Sequence, residues 1–168
     1  MVKLTTLLQT IEQTPVSIGF LKNIVDSKIR VLHYKELNQF TRQELFKNKN
    51  AVIVLIPHRK LKKGHFVCLL PKPKGIEYFS SMGMSPSEEL TKLGEDNFMS
   101  RILGKTFIYN RVRLQNMSNY NVNTCGAFVF ARAKFYKLKQ REFVQLFHSI
   151  SLNSADDIVA IMVLLSFI

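Results

Sequence analysis

The sequence predicts an α+β domain, a central and mostly antiparallel sheet flanked by helices. Three observations lead there. Ala51-Val52-Ile53-Val54-Leu55-Ile56 is an unbroken apolar run, the pattern of a strand buried on both faces. Two more strand-like runs, His65 to Leu70 and Ile76 to Ser80, follow across short turn sequences, so the three pair as an antiparallel meander. Helical patterns stand before and after this block, as in an α+β chain. The 168 residues fit one domain, 1–168, with no repeat, linker or low-complexity tract.

Leu4, Leu7, Leu8 and Ile11 recur at helical spacing over 3–14, and Pro15 ends that pattern. Ser17 to Val25 reads as a second short helix and Lys28 to Tyr34 as a weak strand. Thr41-Arg42-Gln43-Glu44 is a capping box, so a helix begins after Thr41 and runs to about Lys47. Past the meander, Ser85-Pro86-Ser87-Glu88 opens a helix that Gly94 ends. Asn97 to Leu103 adds a helical turn, and Thr106 to Leu114 alternates like a strand. Asn116 to Thr124 is a polar, Asn-rich loop. Asn123 or Thr124 then caps a helix from Cys125 to about Leu138. Glu142 to Ile150 forms another helix, and Ser154 with Asp157 caps the last. The final apolar stretch, Ile158 to Ile168, is too short to span a bilayer and reads as a buried helix.

Composition narrows the classes. Two cysteines make neither a disulfide framework nor a Cys/His metal cage, so a reducing compartment is expected. Met1-Val2-Lys3-Leu4 does not open a signal peptide. The net charge is +12, and it is unevenly placed: residues 59–74 and 97–141 carry Lys and Arg with no acid. Such blocks attract polyanions, which makes double-stranded DNA a candidate partner beside the plainer reading of a solvated basic face.

The chemistry concentrates at Asn123-Thr124-Cys125-Gly126. A thiol at a helix start lies where backbone N–H groups favour the thiolate. The glycine after it permits close approach of a substrate backbone. A nucleophilic cysteine needs a base and oxyanion donors. His65, at the head of its strand, is the candidate base, and Gln115, with the Cys125 N–H, the candidate oxyanion site. Asn119 is a reserve for that amide. Ser80 and Glu77 are candidates to orient His65; alternation along the strand puts them on opposite faces, which favours Ser80. Each residue also has a structural reading: Cys125 as a small buried hydrophobe, His65 as a core histidine, Gln115 as a loop hydrogen bonder. Cys68, mid-strand, reads as core, and His33, His58 and His148 as structural or surface groups.

Gly64-His65-Phe66, Tyr78-Phe79-Ser80-Ser81-Met82-Gly83, Leu114-Gln115 and Asn123-Thr124-Cys125-Gly126 together resemble the adenovirus-type (adenain-like) maturation cysteine proteases, in particular their virophage and Maverick branch. That group shares its papain-like fold with the Ulp-like SUMO proteases. The resemblance covers roughly residues 50–138. It implies a thiol endopeptidase with Cys125 as nucleophile, His65 as base, Gln115 at the oxyanion and Ser80 behind the histidine. Its substrates would be capsid and core precursors, cleaved during virion maturation in the virion or a cytoplasmic viral factory. It implies a monomer away from membranes, with no required cofactor and DNA as a candidate activator. Two departures stand out: Ser80 takes the place of the family's acid or amide, and Gln115 lies ten residues before Cys125, a longer spacing than usual. The alternatives are a Ulp-like deSUMOylase or deubiquitinase, and a basic nucleic-acid-binding virion protein on an inactive protease fold.

Overall fold

The computed structural model describes residues 16–61, 63–116, 123–148 and 154–165. The helix expected over 3–14 lies outside them. Among the described residues the order is α1 (Ile18–Ile24), β1 (Ile29–His33), a 3-10 helix (Tyr34–Gln39), α2 (Arg42–Phe46), β2 (Ala51–Pro57), β3 (Gly64–Lys72), β4 (Gly75–Phe79), α3 (Pro86–Leu93), α4 (Met99–Leu103), β5 (Phe107–Tyr109), α5 (Cys125–Lys134), α6 (Gln140–Leu146) and α7 (Ala155–Leu165).

The strands form one sheet in the order β1-β2-β3-β4-β5. Its middle is the expected meander, with β3 antiparallel to both β2 and β4. The two edges are parallel: β1 with β2, and β4 with β5. A parallel pair needs a crossover, and helices supply it at each edge, the 3-10 helix and α2 after β1, then α3 and α4 after β4. β5 is shorter than the expected 106–114 because Asn110 leaves the ladder for another task described below.

Period-2 alternation sends side chains to two covered faces. Ala51, Ile53, Phe66, Cys68, Leu70 and Phe79 join one core with α1, α5, α6 and α7. Val52, Val54, Ile56, Val67, Leu69 and Tyr78 join the other, under the 3-10 helix and α2 to α4. This is why the β2 sequence is apolar without alternation. Cys68 is fully buried in the first core, and burial pushes its thiol well above the usual range.

Three helix starts follow the expected caps. Thr41 with Glu44 and Ser85 with Glu88 make reciprocal capping boxes, and Ser154 with Asp157 makes the same pair of contacts. Gly94 ends α3 in the left-handed conformation at φ +78°. The far end of α5 is held by an ion pair. Arg132, fully buried, donates to both Glu77 oxygens at 2.7 and 2.8 Å and to the carbonyls of Phe135 and Leu138. Lys72 lies 3.3 Å from the same carboxylate. Glu77 is therefore committed to α5, on the sheet face opposite Ser80, and does not serve His65.

A buried ion pair attracts strongly but costs desolvation, so breaking it costs more than replacing it. Glu77→Ala is expected to lower unfolding stability by about 3–5 kcal/mol in chemical denaturation, and Glu77→Leu with Arg132→Met by much less.

Candidate active site

His65 is the second residue of β3 and is 3% exposed. Its Nε2 lies 3.1 Å from Ser80 Oγ and 3.0 Å from Glu89 Oε1. Ser80 Oγ–H donates to the same Glu89 oxygen at 2.9 Å, and Tyr78 O–H donates to the other at 2.5 Å. A hydroxyl has one proton, and that of Ser80 goes to Glu89. Ser80 Oγ therefore accepts from the Met82 N–H and from His65. With Glu89 ionised, Nε2 then carries the imidazole proton, which leaves Nδ1 as the basic nitrogen.

Glu89 is the candidate site residue that sequence reasoning missed. Ser80 does stand behind the histidine, but the charge comes from α3. Pro86, Glu89, Leu90 and Leu93 share the buried side of that helix, at the spacing i, i+3, i+4, i+7. The signal was present: Glu89 falls in phase with an apolar stripe. Its neighbour Glu88 caps Ser85 at the surface, which disguised the pair as an ordinary acidic first turn.

Burial dominates the electrostatics. It pushes Glu89 up to about 7, against the pull of the Tyr78 and Ser80 hydroxyls and the charge of Lys92. It pushes His65 down to about 3, with Lys92 adding to the effect. The resting imidazole is thus neutral.

A second clamp fixes Ser80. The Asn110 side chain accepts from the Ser80 N–H at 3.0 Å and donates to the Ser80 carbonyl at 2.7 Å. The next residue, Ser81, holds Gln115. Its hydroxyl donates to Gln115 Oε1 at 2.9 Å, and its carbonyl accepts from the N–H groups of Leu114 and Gln115. The Gln115 amide is thereby turned with its NH2 end away from Ser81. Gly83, at φ +67°, allows this approach, since a Cβ there would lie 2.6 Å from the Val112 backbone. Of the residues between Gln115 and Cys125, 117–122, Asn119 included, lie outside the described residues.

Cys125 is the first residue of α5 and is half-buried. Burial raises its thiol, while the N–H groups of Phe66, Gly126 and Cys125 itself lower it. Phe66 directly follows His65, so the sulfur meets β3 one residue from the imidazole. Two expectations are corrected here. Gly126 does not leave room for a substrate: a Cβ there would lie 2.6 Å from Val16 Cβ, so the glycine accommodates the chain's own entry into α1. Nor does the Thr124 side chain cap α5, because its hydroxyl donates to Asp156 instead.

The two buried groups pull stability in opposite directions with pH. His65 falls from 6.5 to about 3 on folding, so its contribution is full above 6.5 and is lost as pH drops toward 3. Glu89 rises from 4.5 to about 7, so its contribution is full below 4.5 and is lost as pH rises through 7. Between 4.5 and 6.5 the two cancel. His65 is expected to stay neutral, with one ring proton, from pH 8 to pH 5 in nitrogen-15 NMR; a titration midpoint near 6.5 would contradict the burial of the ring.

No protein-family model matches the chain, and no curated protein matches its sequence. Solved structures do match. The selenomethionine crystal structure of the ASFV pS273R protease is 12% identical, with a TM-score of 0.54, covering 95% of this chain and 73% of that one. The SUMO protease Ulp1 is also 12% identical, over 97% of this chain and 78% of that one, at a TM-score of 0.35 that carries no argument. With its five-stranded sheet between helices and its cysteine opening α5, this chain has the α+β cysteine-protease fold of the ASFV pS273R protease.

Proposed function

We propose that this chain is a thiol endopeptidase that cleaves capsid and core precursor proteins of a DNA virus or virus-like element during virion maturation. One observation carries the reading: His65 Nε2 is held by both Ser80 and the Glu89 carboxylate, which orients the ring and frees Nδ1 for proton transfer. In the proposed mechanism Nδ1 takes the Cys125 proton, and the thiolate attacks the scissile carbonyl. The Gln115 NH2 and the Cys125 N–H stabilise the oxyanion. The imidazolium, balanced by Glu89, then protonates the leaving amine, and a water deprotonated by Nδ1 releases the acyl group.

The fold shared with the ASFV pS273R protease supports the viral setting, and the acid-free basic segments support action on or near DNA inside a virion or viral factory. Against the inactive-fold alternative stands the Glu89 carboxyl, 3.0 Å from His65 Nε2, where Ser80 alone would supply no acid.

The test uses a thiol-reactive activity probe on the wild type and Cys125→Ala, followed by cleavage of a capsid precursor and of a ubiquitin-like fusion. Labelling that is absent from the variant, with cleavage of the precursor, is the expected result. No labelling of the wild type defeats the enzyme reading, and cleavage of the fusion alone favours the Ulp-like substrate class. Glu89→Gln keeps volume but removes charge and allows the wrong tautomer. It should lower kcat at least ~100-fold with little change in KM.

A further inference from the structure

Asp156 is 2% exposed, near the start of α7, and no step above uses it. One of its oxygens accepts the Thr124 hydroxyl, and the other accepts the Asn116 N–H at 2.9 Å. Thr124 directly precedes Cys125, and Asn116 directly follows Gln115. A single carboxylate therefore holds both the residue after Gln115 and the residue before Cys125.

The contact to Thr124 has a sharper consequence. Thr124 is the N-cap residue of α5, and a threonine there normally accepts from the N–H of the second or third helical residue. Those residues are Gly126 and Ala127. The Gly126 N–H is one of the donors that favour the Cys125 thiolate. A capping hydroxyl would compete for that donor. In this protein the hydroxyl faces Asp156, and Thr124 adopts helical rather than extended backbone angles, φ −87° and ψ −1°. The charged groups near these atoms are Asp157, beside Asp156 on α7, and Glu89, which acts on Cys125 from α3.

We propose that Asp156 is a positioning residue that keeps the nucleophile helix uncapped, drawing the Thr124 hydroxyl away so that the N–H group of Gly126 serves the Cys125 sulfur. The proposal rests on Cys125 being the nucleophile, but its test needs no substrate.

The experiment measures the rate of iodoacetamide alkylation of Cys125 against pH, with Cys125→Ala as the blank for Cys68. Asp156→Ala should release Thr124 to cap the helix, slowing alkylation at neutral pH about tenfold and moving the thiol titration upward. Adding Thr124→Val, which cannot cap, should restore the rate to within about twofold of wild type. A purely structural role for Asp156 predicts no such rescue, since the second substitution removes a further polar group. Asp156→Asn guards against misfolding: it offers one acceptor oxygen to two donors. It should slow alkylation about threefold, again reversed by Thr124→Val. Unchanged alkylation in both Asp156 variants, or slowing that Thr124→Val does not reverse, overturns the proposal. A wild type that alkylates as described yet cleaves no protein defeats the protease reading alone.

Discussion

The arrangement of this protein turns on one buried carboxylate. Glu89 collects three donors, from Tyr78, Ser80 and His65, and in doing so ties α3 to β4 and β3. A carboxylate without partners in that position would be costly; with three, it fixes the ring of His65, its proton and its neighbours together. The second ring of contacts serves the same end. Asn110 grips the Ser80 backbone, Ser81 grips Gln115, and the turn through Gly83 brings both serines to the sheet end where Cys125 arrives. His65, Tyr78, Ser80 and Glu89 thus come from three successive elements joined by buried hydrogen bonds.

Much of this was legible in the sequence. The apolar β2 run, the turns of the meander and the Ser or Thr caps are local signals, and each produced the element it indicated. His65, Ser80 and Cys125 drew attention because the sequence put them at element ends, and the structure keeps them there; Gln115, expected at a strand end, lies in the coil beyond β5. Glu89 was not, since its role depends on the direction in which α3 crosses the sheet, and no local pattern encodes that. Only its helical phase with Pro86, Leu90 and Leu93 hinted at it. The parallel edges were likewise set by crossovers, which are tertiary facts. Glu77 illustrates the reverse case: strand alternation alone placed it away from Ser80, and the partner it found, Arg132, lies 55 residues away.

The chain also shows how a capping rule yields to a tertiary contact. Thr124 has the right residue type for a cap and the right position, yet its hydroxyl turns outward to a buried acid on another helix. Local propensity is overridden where the helix start has another use. The same holds at Gly126, whose missing side chain serves Val16 of its own chain.

Helix α5 is gripped at both ends by acids that belong to other elements, Asp156 beside its first residue and Glu77 beneath Arg132 near its last. A rod pinned twice cannot slide or pivot without breaking one pin, and each pin is buried. The sulfur at its tip therefore has no soft path of its own to drift along. Heat-driven loss of the reactive geometry and collapse of the whole domain become a single event, observable as coincidence of the inactivation and unfolding midpoints.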